Sequence, residues 1–483
     1  MRVALKEAHL GLRNSTTRIP FRYGTAVLTR CPQALFRVLI ECDGKTHQGF
    51  SGDCLPPSWF DKSPQKDFAR QIGDMLRVID VARSVFMDAF ATATTFFPAW
   101  LTCQPQIEQR CAAWDLPPLL ASFGSSLVER AILDAACRRH ELPFAQAVRT
   151  NLFGIDAGMV HADLRGAVPQ DWLPVTPAPW VHVRQTVGLG DPLTADEILP
   201  AERLHDGWPQ AIADYATRRG VRYYKVKVSN RLQQDLERLT RIARLLHAHL
   251  GDDYRLTLDG NEQYKRAEDF EALIGEMRAR PELATLWNNV LVIEQPFDRA
   301  IALSADRIGA LRTLSRSKPV IIDESDGSMD AYAKAIELGY RGVSSKNCKG
   351  ALRSVLNAGL TWLHNDRGRG QEFTVTGEDL CTVGIVPVQS DLCLAATLGL
   401  QHIERNGHHY HPGLTYLPEQ ARRAALAAHG DFYVEEHGII GPHIVDGRMQ
   451  IGSLQCAGFG FAVEPDMSMW EPAETWKFES LGL

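Results

Sequence analysis

Apolar and polar positions follow two rhythms along this chain, and the rhythm changes near residue 170. Before that point, Ala34 to Glu41 alternates like a strand of an antiparallel sheet. Asp43-Gly44 is a turn signal leading into Lys45 to Phe50. Ser126 to Arg139 predicts a helix, because Leu127, Ala131 and Ala135 share a face and Pro143 lies just past its end. From Val168 to Trp180 the chain holds Pro169, Pro174, Pro177 and Pro179, which predicts a domain boundary.

Short apolar runs then alternate with longer helical patterns. The runs are Val181 to Val187, Tyr223 to Val228, Arg255 to Leu258, Val290 to Ile293, Val320 to Ile322, Gly342 to Ser345, Phe373 to Thr376 and a weaker His402-Ile403. Leu232, Leu236, Leu239, Ile242 and Leu246 recur at helical steps between the second and third, with Asn230 placed to cap the start and Gly251 the end. Eight strands separated by helices predict an α/β fold closed as a (β/α)₈ TIM barrel. An open doubly wound sheet needs a glycine-rich phosphate turn after its first strand, and Gly188-Leu189-Gly190-Asp191 lacks the third glycine. From Gly438 the texture is β again: Ile439-Ile440, His443 to Val445, an Asp446-Gly447 turn and Met449 to Ile451. This tail is expected to return to the N-terminal part. The expected divisions are 1–170, 180–430 and 431–483.

Composition narrows the function classes. The chain has 483 residues, 45% hydrophobic and 23% charged, ample for a sizeable core. The net charge is −6 and no Lys/Arg cluster stands out, so nucleic acid and an anionic membrane are not expected partners. Ten cysteines without a Cys-x-x-Cys pair argue against a disulfide framework or a thiolate zinc site. With no apolar signal core at the N-terminus, a cytoplasmic location is expected.

The ionisable residues carry the chemistry. Lys227, Asp259, Glu294, Asp323 and Lys346 each fall at the downstream end of a predicted strand, separated by 32, 35, 29 and 23 residues, about one βα unit each. In a parallel barrel those ends converge on one face. Three carboxylates there need a counter-charge, and a hard divalent cation with oxygen ligands, Mg²⁺ with Mn²⁺ as its substitute, supplies it. Lys225 and Lys227 are two apart in a strand and project inward together, where mutual repulsion and burial are expected to lower their pKa values. Lys346 enters four strands later, so a substrate would lie between Lys227 and Lys346.

At these residues the sequence resembles the enolase superfamily, in particular its mandelate racemase/muconate lactonizing enzyme branch, in which a lysine base working with Mg²⁺ is a known pairing. The matching segments are Tyr224-Lys225-Val226-Lys227, Leu258-Asp259-Gly260-Asn261, Ile293-Glu294-Gln295-Pro296, Ile322-Asp323-Glu324-Ser325 and Ser345-Lys346. The resemblance implies a modified barrel under an α+β capping domain formed by the N-terminal part and the C-terminal tail. Arg18 to Gly24 and Gly49 to Pro57 look like its substrate-covering loops, and Leu127 to Pro143 like its last capping helix. It implies Asp259, Glu294 and Asp323 as Mg²⁺ ligands, and Lys227 and Lys346 as opposing acid/base residues. Lys225 would tune Lys227 and contact the substrate carboxylate. Asn261 and Glu324 would support the metal site, Glu324 orienting Lys346, and Glu404 would meet the substrate. No Asp-x-Asp pair follows the eighth strand, so the amino-group recognition of dipeptide epimerases is not expected.

The expected reaction is removal of the proton α to a carboxylate of a small-molecule substrate, through an enolate, leading to racemisation, epimerisation, cycloisomerisation or elimination. Phe21 and Tyr23, like Trp59 and Phe60, either cover the substrate or pack within the cap. His408, His409 and His411 read first as an exposed loop and second as ligands of an anion or a metal. Cys348 reads as a buried small residue. A homo-oligomer is compatible with the resemblance. Two rival readings stand: a Schiff-base aldolase barrel with one lysine nucleophile, and a catalytically silent barrel that binds a partner.

Overall fold

The structure, a computed structural model, describes residues 1–23, 26–368 and 372–483. The chain opens on three antiparallel strands, β1 (Arg2–Tyr23), β2 (Ala26–Cys42) and β3 (Lys45–Cys54), with β2 paired to both others. In β2 the side chains of Phe36, Val38, Ile40 and Cys42 are buried while Arg37, Leu39 and Glu41 are half-exposed, the alternation of a sheet covered on one face. Asp43 and Gly44 both have positive φ, 52° and 70°, the mirror-image turn whose twist suits a tight hairpin. Residues 18–23, expected as a loop, continue β1 as one limb of a long hairpin whose pairing reaches Tyr23 and Ala26; Gly24 lies outside the described residues.

Helices α1 (Phe68–Ala89), α2 (Phe96–Ala112) and α3 (Pro118–Arg139) complete this layer, with β4 (Thr94–Thr95) on the edge of β1. Every residue of α3 from Leu119 to Cys137 is buried, so it is a central helix rather than an amphipathic surface one. Its internal charges are all partnered. Arg130 meets Asp53 at 2.7 Å, Glu129 accepts from the Trp100 indole at 2.7 Å, and Asp134 accepts from the Phe459 amide at 2.7 Å. The helix lies directly on β3, where Gly49 is indispensable: a Cβ there would fall on the backbone of Ala131 and Ala135. Gly49→Ala is expected to destabilise the protein by about 1–3 kcal/mol, read as a lower thermal midpoint.

All eight expected runs are strands of one parallel sheet: β5 (Trp180–Val187), β6 (Tyr223–Lys227), β7 (Arg255–Asp259), β8 (Val290–Glu294), β9 (Val320–Ile321), β10 (Gly342–Ser345), β11 (Thr374–Glu378) and β12 (His402–Arg405). They pair in sequence order, β12 returns to β5, and a bridge between Ile322 and Val343 closes the ring. The helix after β6 runs from Leu232 to Leu250 and ends at Gly251, as expected. Its start differs. The Asp235 carboxylate accepts from the backbone amides of Ser229 and Arg231, while Asn230, at φ 61°, turns its amide to the Gln263 carbonyl.

The tail divides its pairing. After a hairpin of β13 (Tyr433–Glu436) and β14 (Ile439–Pro442), β15 (Arg448–Gln450) adds antiparallel to barrel strand β5, which the expectation of a tail packed only on the cap did not include. Strand β16 (Glu471–Pro472) then joins β1 at Gly11 and Leu12, completing the capping sheet. The ten cysteines are free thiols, nine of them buried. Among the described residues no helix is long and apolar enough to cross a membrane.

Candidate active site

The strand ends at the mouth of the barrel carry a dense ionic network, and lysines sit at its centre. Because side chains alternate along β6, Lys225 and Lys227 share the interior while Val226 packs outward. The Lys225 ammonium touches four carboxylates: Glu294 at 2.6 Å, Glu404 at 2.8 Å, Glu378 at 2.9 Å and Asp259 at 3.1 Å. Lys227 pairs with Asp259. From the opposite wall, Lys346 meets Glu378 at 2.6 Å and Asp323 at 3.3 Å, and Lys349, one turn on, reaches Asp323 at 2.8 Å.

These surroundings reverse the pKa shift expected for the lysines. Burial acts downward on Lys225 and Lys346, but the carboxylates outweigh it and hold both amines well above the usual lysine range. Lys227 is raised too, with burial opposed chiefly by Asp259. The expected lowering set Lys225 and Lys227 against each other and left out the opposing pull of Asp259, Glu294 and Glu404, residues already in hand, and of Glu378.

The carboxylates sort differently from expectation as well. Glu294, Asp323 and Glu378, all buried, can each offer one oxygen such that the three lie within 4.8 Å of one another. Asp259 is not one of the three; its oxygens meet Lys225, Lys227 and the Asn261 backbone amide. Two of the three expected ligands are thus brought together, and Glu378 joins them from β11. The set suits a hard divalent ion: its donors are all carboxylate oxygens, and Glu294 Oε2 is buried without a hydrogen-bond partner. Burial and the neighbouring Glu378 push the Glu294 carboxyl well above the carboxylate range, a like-charge strain that a cation relieves. On Asp323, burial is outweighed by Lys346, Lys349 and Lys225, and its carboxyl is held well below that range.

Glu378 escaped the sequence reading because the seventh apolar run was ended at Thr376, two residues early. Extending it through Thr-Val-Thr-Gly-Glu places an acid at the strand end, the signal used for its neighbours. Arg184, a lone charge inside an apolar run, is the second missed residue; it is buried in β5 and donates to Glu378 at 2.8 Å. Gln295 is the third. Held at φ 33° beyond β8, its side-chain oxygen accepts from the Asp323 amide at 2.8 Å and so locks the adjoining strand end.

The remaining expected residues lie around this network. Asn261 donates to Glu324 at 3.1 Å. Burial, with Glu262 and Asp323 nearby, lifts the Glu324 carboxyl to about 7. Glu324 does not orient Lys346: its other charged neighbour is Lys62 at 3.9 Å, whereas the carboxylates on Lys346 are Asp323 and Glu378. Glu404 accepts from Thr186 at 2.5 Å and from Asn406 at 3.1 Å, in addition to Lys225. Phe21 stacks on Tyr410 with ring centroids 4.0 Å apart, and the Tyr23 hydroxyl donates to the Pro57 carbonyl at 2.8 Å. Both belong to a cap–barrel packing cluster with Cys31, Cys54 and Cys381. Trp59 is the aromatic that faces the chemistry, its ring 4.9 Å from the Lys346 ammonium. Arg299 fixes that loop by donating to the Trp59 carbonyl at 2.9 Å and the Phe60 carbonyl at 2.8 Å while pairing with Glu262. Cys348 is buried, as expected.

His408, His409 and His411 are buried, which overturns the exposed-loop reading. His409 pairs through Nδ1 with the Tyr215 hydroxyl at 2.8 Å, and His408 through Nε2 with Gln185 at 2.9 Å. Burial lowers His409 to about 3 and His411 to about 4, and His161 on the cap side to about 4. Below pH 6.5 the unfolded chain therefore binds protons that the folded one refuses, so stability falls as pH drops through the window from 6.5 to about 4. Each group contributes about 1.4 kcal/mol per pH unit there. Urea midpoints at pH 7 and pH 5 are expected to differ less in His409→Gln than in the wild type.

A closed parallel barrel with acidic strand ends, beneath a cap shared by the two chain termini, is the architecture of mandelate racemase/muconate lactonizing enzymes in the enolase superfamily, and this chain has that fold. Structural comparison finds it at low identity. A mandelate racemase/muconate lactonizing protein from Herpetosiphon aurantiacus matches with a TM-score of 0.60 and 16% identity, over 96% of this chain and 99% of that one. A dipeptide epimerase from Enterococcus faecalis V583, complexed with Mg and L-Leu-L-Tyr, matches at 0.59 and 13%, over 95% and 100%. Muconate lactonizing enzyme from Pseudomonas fluorescens, complexed with muconolactone, matches at 0.58 and 16%, over 95% and 97%. No family model matches the sequence, and neither does any curated protein.

Proposed function

We propose that this protein is a divalent-metal-dependent enzyme of the enolase-superfamily kind that removes the proton α to the carboxylate of a small substrate. The observation that carries the reading is the opposition of two amines. Lys227 at the end of β6 and Lys346 just past the end of β10 stand four strands apart in an eight-stranded ring, with the acidic cluster between them. Glu294, Asp323 and Glu378 would hold Mg²⁺, with Mn²⁺ as its substitute. Such an ion supplies positive charge where negative charge builds on the substrate carboxylate.

The chain's own groups do the rest. Lys225 holds Glu294, Glu378 and Glu404 together and so keeps the strand ends in register. One of the opposed lysines, once neutral, takes the α-proton at its Nζ. The other delivers a proton to the opposite face, or a β-group leaves. Trp59, its ring 4.9 Å from the Lys346 ammonium, shields that amine from water. The relatives crystallised with a dipeptide and with muconolactone support a carboxylate substrate. The test is deuterium uptake at the α-carbon in D₂O, read by NMR across acid sugars, N-acyl amino acids and dipeptides. No uptake with any of these in the presence of Mg²⁺ ends the proposal. A Schiff-base mechanism uses one lysine as nucleophile and gives no role to a second opposed amine or to the converging carboxylates.

Neutralising the lysine follows from charge balance. Asp259, Glu294, Asp323, Glu378 and Glu404 face Lys225, Lys227, Lys346, Lys349 and Arg184, five acids against five bases, so the network has no surplus of negative charge before any ion binds. A doubly charged ion added to it lowers the lysine pKa values. Mg²⁺ binding is therefore expected to release protons and to tighten as pH rises. Calorimetry in two buffers of different ionisation enthalpy reads the proton count directly; Glu294→Gln removes the share due to that raised carboxyl, and no release in this variant would mean that the lysines keep their protons.

A further inference from the structure

We propose that Cys42, Asp43 and His140 form a second metal site, on the cap, for a borderline transition-metal ion, zinc above all. The three come from the β2–β3 hairpin and the end of α3. Cys42 ends β2, Asp43 opens the β2–β3 turn, and His140 caps the C-terminus of α3 with its amide on the Ala136 carbonyl. One ligand atom from each lies within 4.8 Å of the other two. Cys42 Sγ is 3.8 Å from His140 Nε2 and 3.8 Å from Asp43 Oδ2, and His140 Nε2 is 3.7 Å from Asp43 Oδ2.

Those distances are nearly the edges of a zinc tetrahedron. Bonds of about 2.3 Å to sulfur and about 2.0–2.2 Å to nitrogen and oxygen give edges of roughly 3.4–3.6 Å, so each edge closes by only a few tenths of an ångström. Both sulfur contacts are within thiol hydrogen-bonding reach, and the triangle as a whole is of the right size to surround an ion. The donors also select it: one sulfur, one imidazole nitrogen and one carboxylate oxygen suit zinc and disfavour Mg²⁺, the reverse of the all-oxygen cluster in the barrel. The site is open to entry, since the His140 side chain is 25% exposed and that of Asp43 56%. Binding converts the Cys42 thiol to a thiolate and releases its proton to solvent. Thiolate and carboxylate then balance the doubly charged ion, which leaves Arg139, donating to the Cys42 carbonyl at 3.3 Å, without a net like charge to repel it.

This site stands apart from the barrel mouth. The turn lies at one end of β3 and Cys54 at the other, ten residues and about 30 Å away at ~3.3 Å per residue. A metal here ties the hairpin turn to the end of α3, so it acts on the cap's stability rather than on the reacting atoms.

The test uses the full chain stripped with EDTA and titrated with Co²⁺, then with Zn²⁺. Ligation by a thiolate produces a sulfur-to-cobalt charge-transfer band, which an all-oxygen site does not. One equivalent of this band is expected, displaced by Zn²⁺ and untouched by Mg²⁺. It should vanish in Cys42→Ser and weaken at least tenfold in affinity in His140→Ala and in Asp43→Asn. Zinc should raise the thermal midpoint of the wild type by several degrees and leave the variants unchanged. Should Cys42→Ser misfold, the other two variants, at a turn and a helix end, carry the result. Absence of the band, or a band of undiminished affinity in both His140→Ala and Asp43→Asn, overturns the proposal.

Discussion

Lys346→Ala is expected to lower turnover by about 10²–10⁴-fold, the usual contribution of a positioned acid/base group. The reading assigns Lys346 and Lys227 to opposite faces of one carbon, so the two losses should differ in kind. In D₂O, Lys346→Ala should abolish α-proton exchange from one enantiomer of a substrate and Lys227→Ala from the other. Loss of the same enantiomer in both variants would refute the opposed-face arrangement. Removing the amine also leaves Glu378 and Asp323 short of a positive charge, so folding has to be separated from chemistry. Lys346→Arg does this: it keeps the charge near those acids but holds its proton too tightly to exchange it. The expected result is a folded, inactive protein.

Glu378→Gln is expected to give the largest loss of stability, about 3–5 kcal/mol, because Arg184 would then be a buried guanidinium without its carboxylate. Both side chains are fully buried, so water offers Arg184 no replacement. The same substitution tests the metal set. If Glu294, Asp323 and Glu378 hold the ion, Glu378→Gln should weaken Mg²⁺ binding at least tenfold, while Asp259→Asn, which removes a partner of Lys227, should weaken it less. Calorimetric titration of the two variants compares them directly. The opposite ranking would restore Asp259 as the third ligand and reduce Glu378 to a partner of Arg184, Lys225 and Lys346.

The barrel was legible in the sequence because a strand buried on both faces is a short apolar run, and eight such runs separated by helices admit few topologies. The inward direction of Lys225 and Lys227 followed from strand alternation alone. What a single sequence conceals is the far wall. Two of the acids around Lys225, Glu378 and Glu404, come from strands five and six places later, and a two-residue error at the end of β11 hid Glu378. The histidine cluster was misread for a related reason: Gly407 to His411 has the composition of a loop, and only the tertiary contacts with Tyr215 and Gln185 bury it. Strand β1 went unread because its polar residues obscure the alternation, although it spans Arg2–Tyr23. The helix α3 was readable as a helix but not as a central one, since its three internal charges look like surface residues until Asp53, Trp100 and the Phe459 amide are brought to them.

The pairing of β16 with β1 joins residues 471–472 to residues 11–12, across nearly the whole length of the chain. At roughly 5–20 residues per second, a ribosome needs about 20–100 s to make what lies between. For that time the first-made sheet has one rim uncovered, and closing so long a loop is slow even when the chain is finished. The sheet that is begun first is therefore the one finished last.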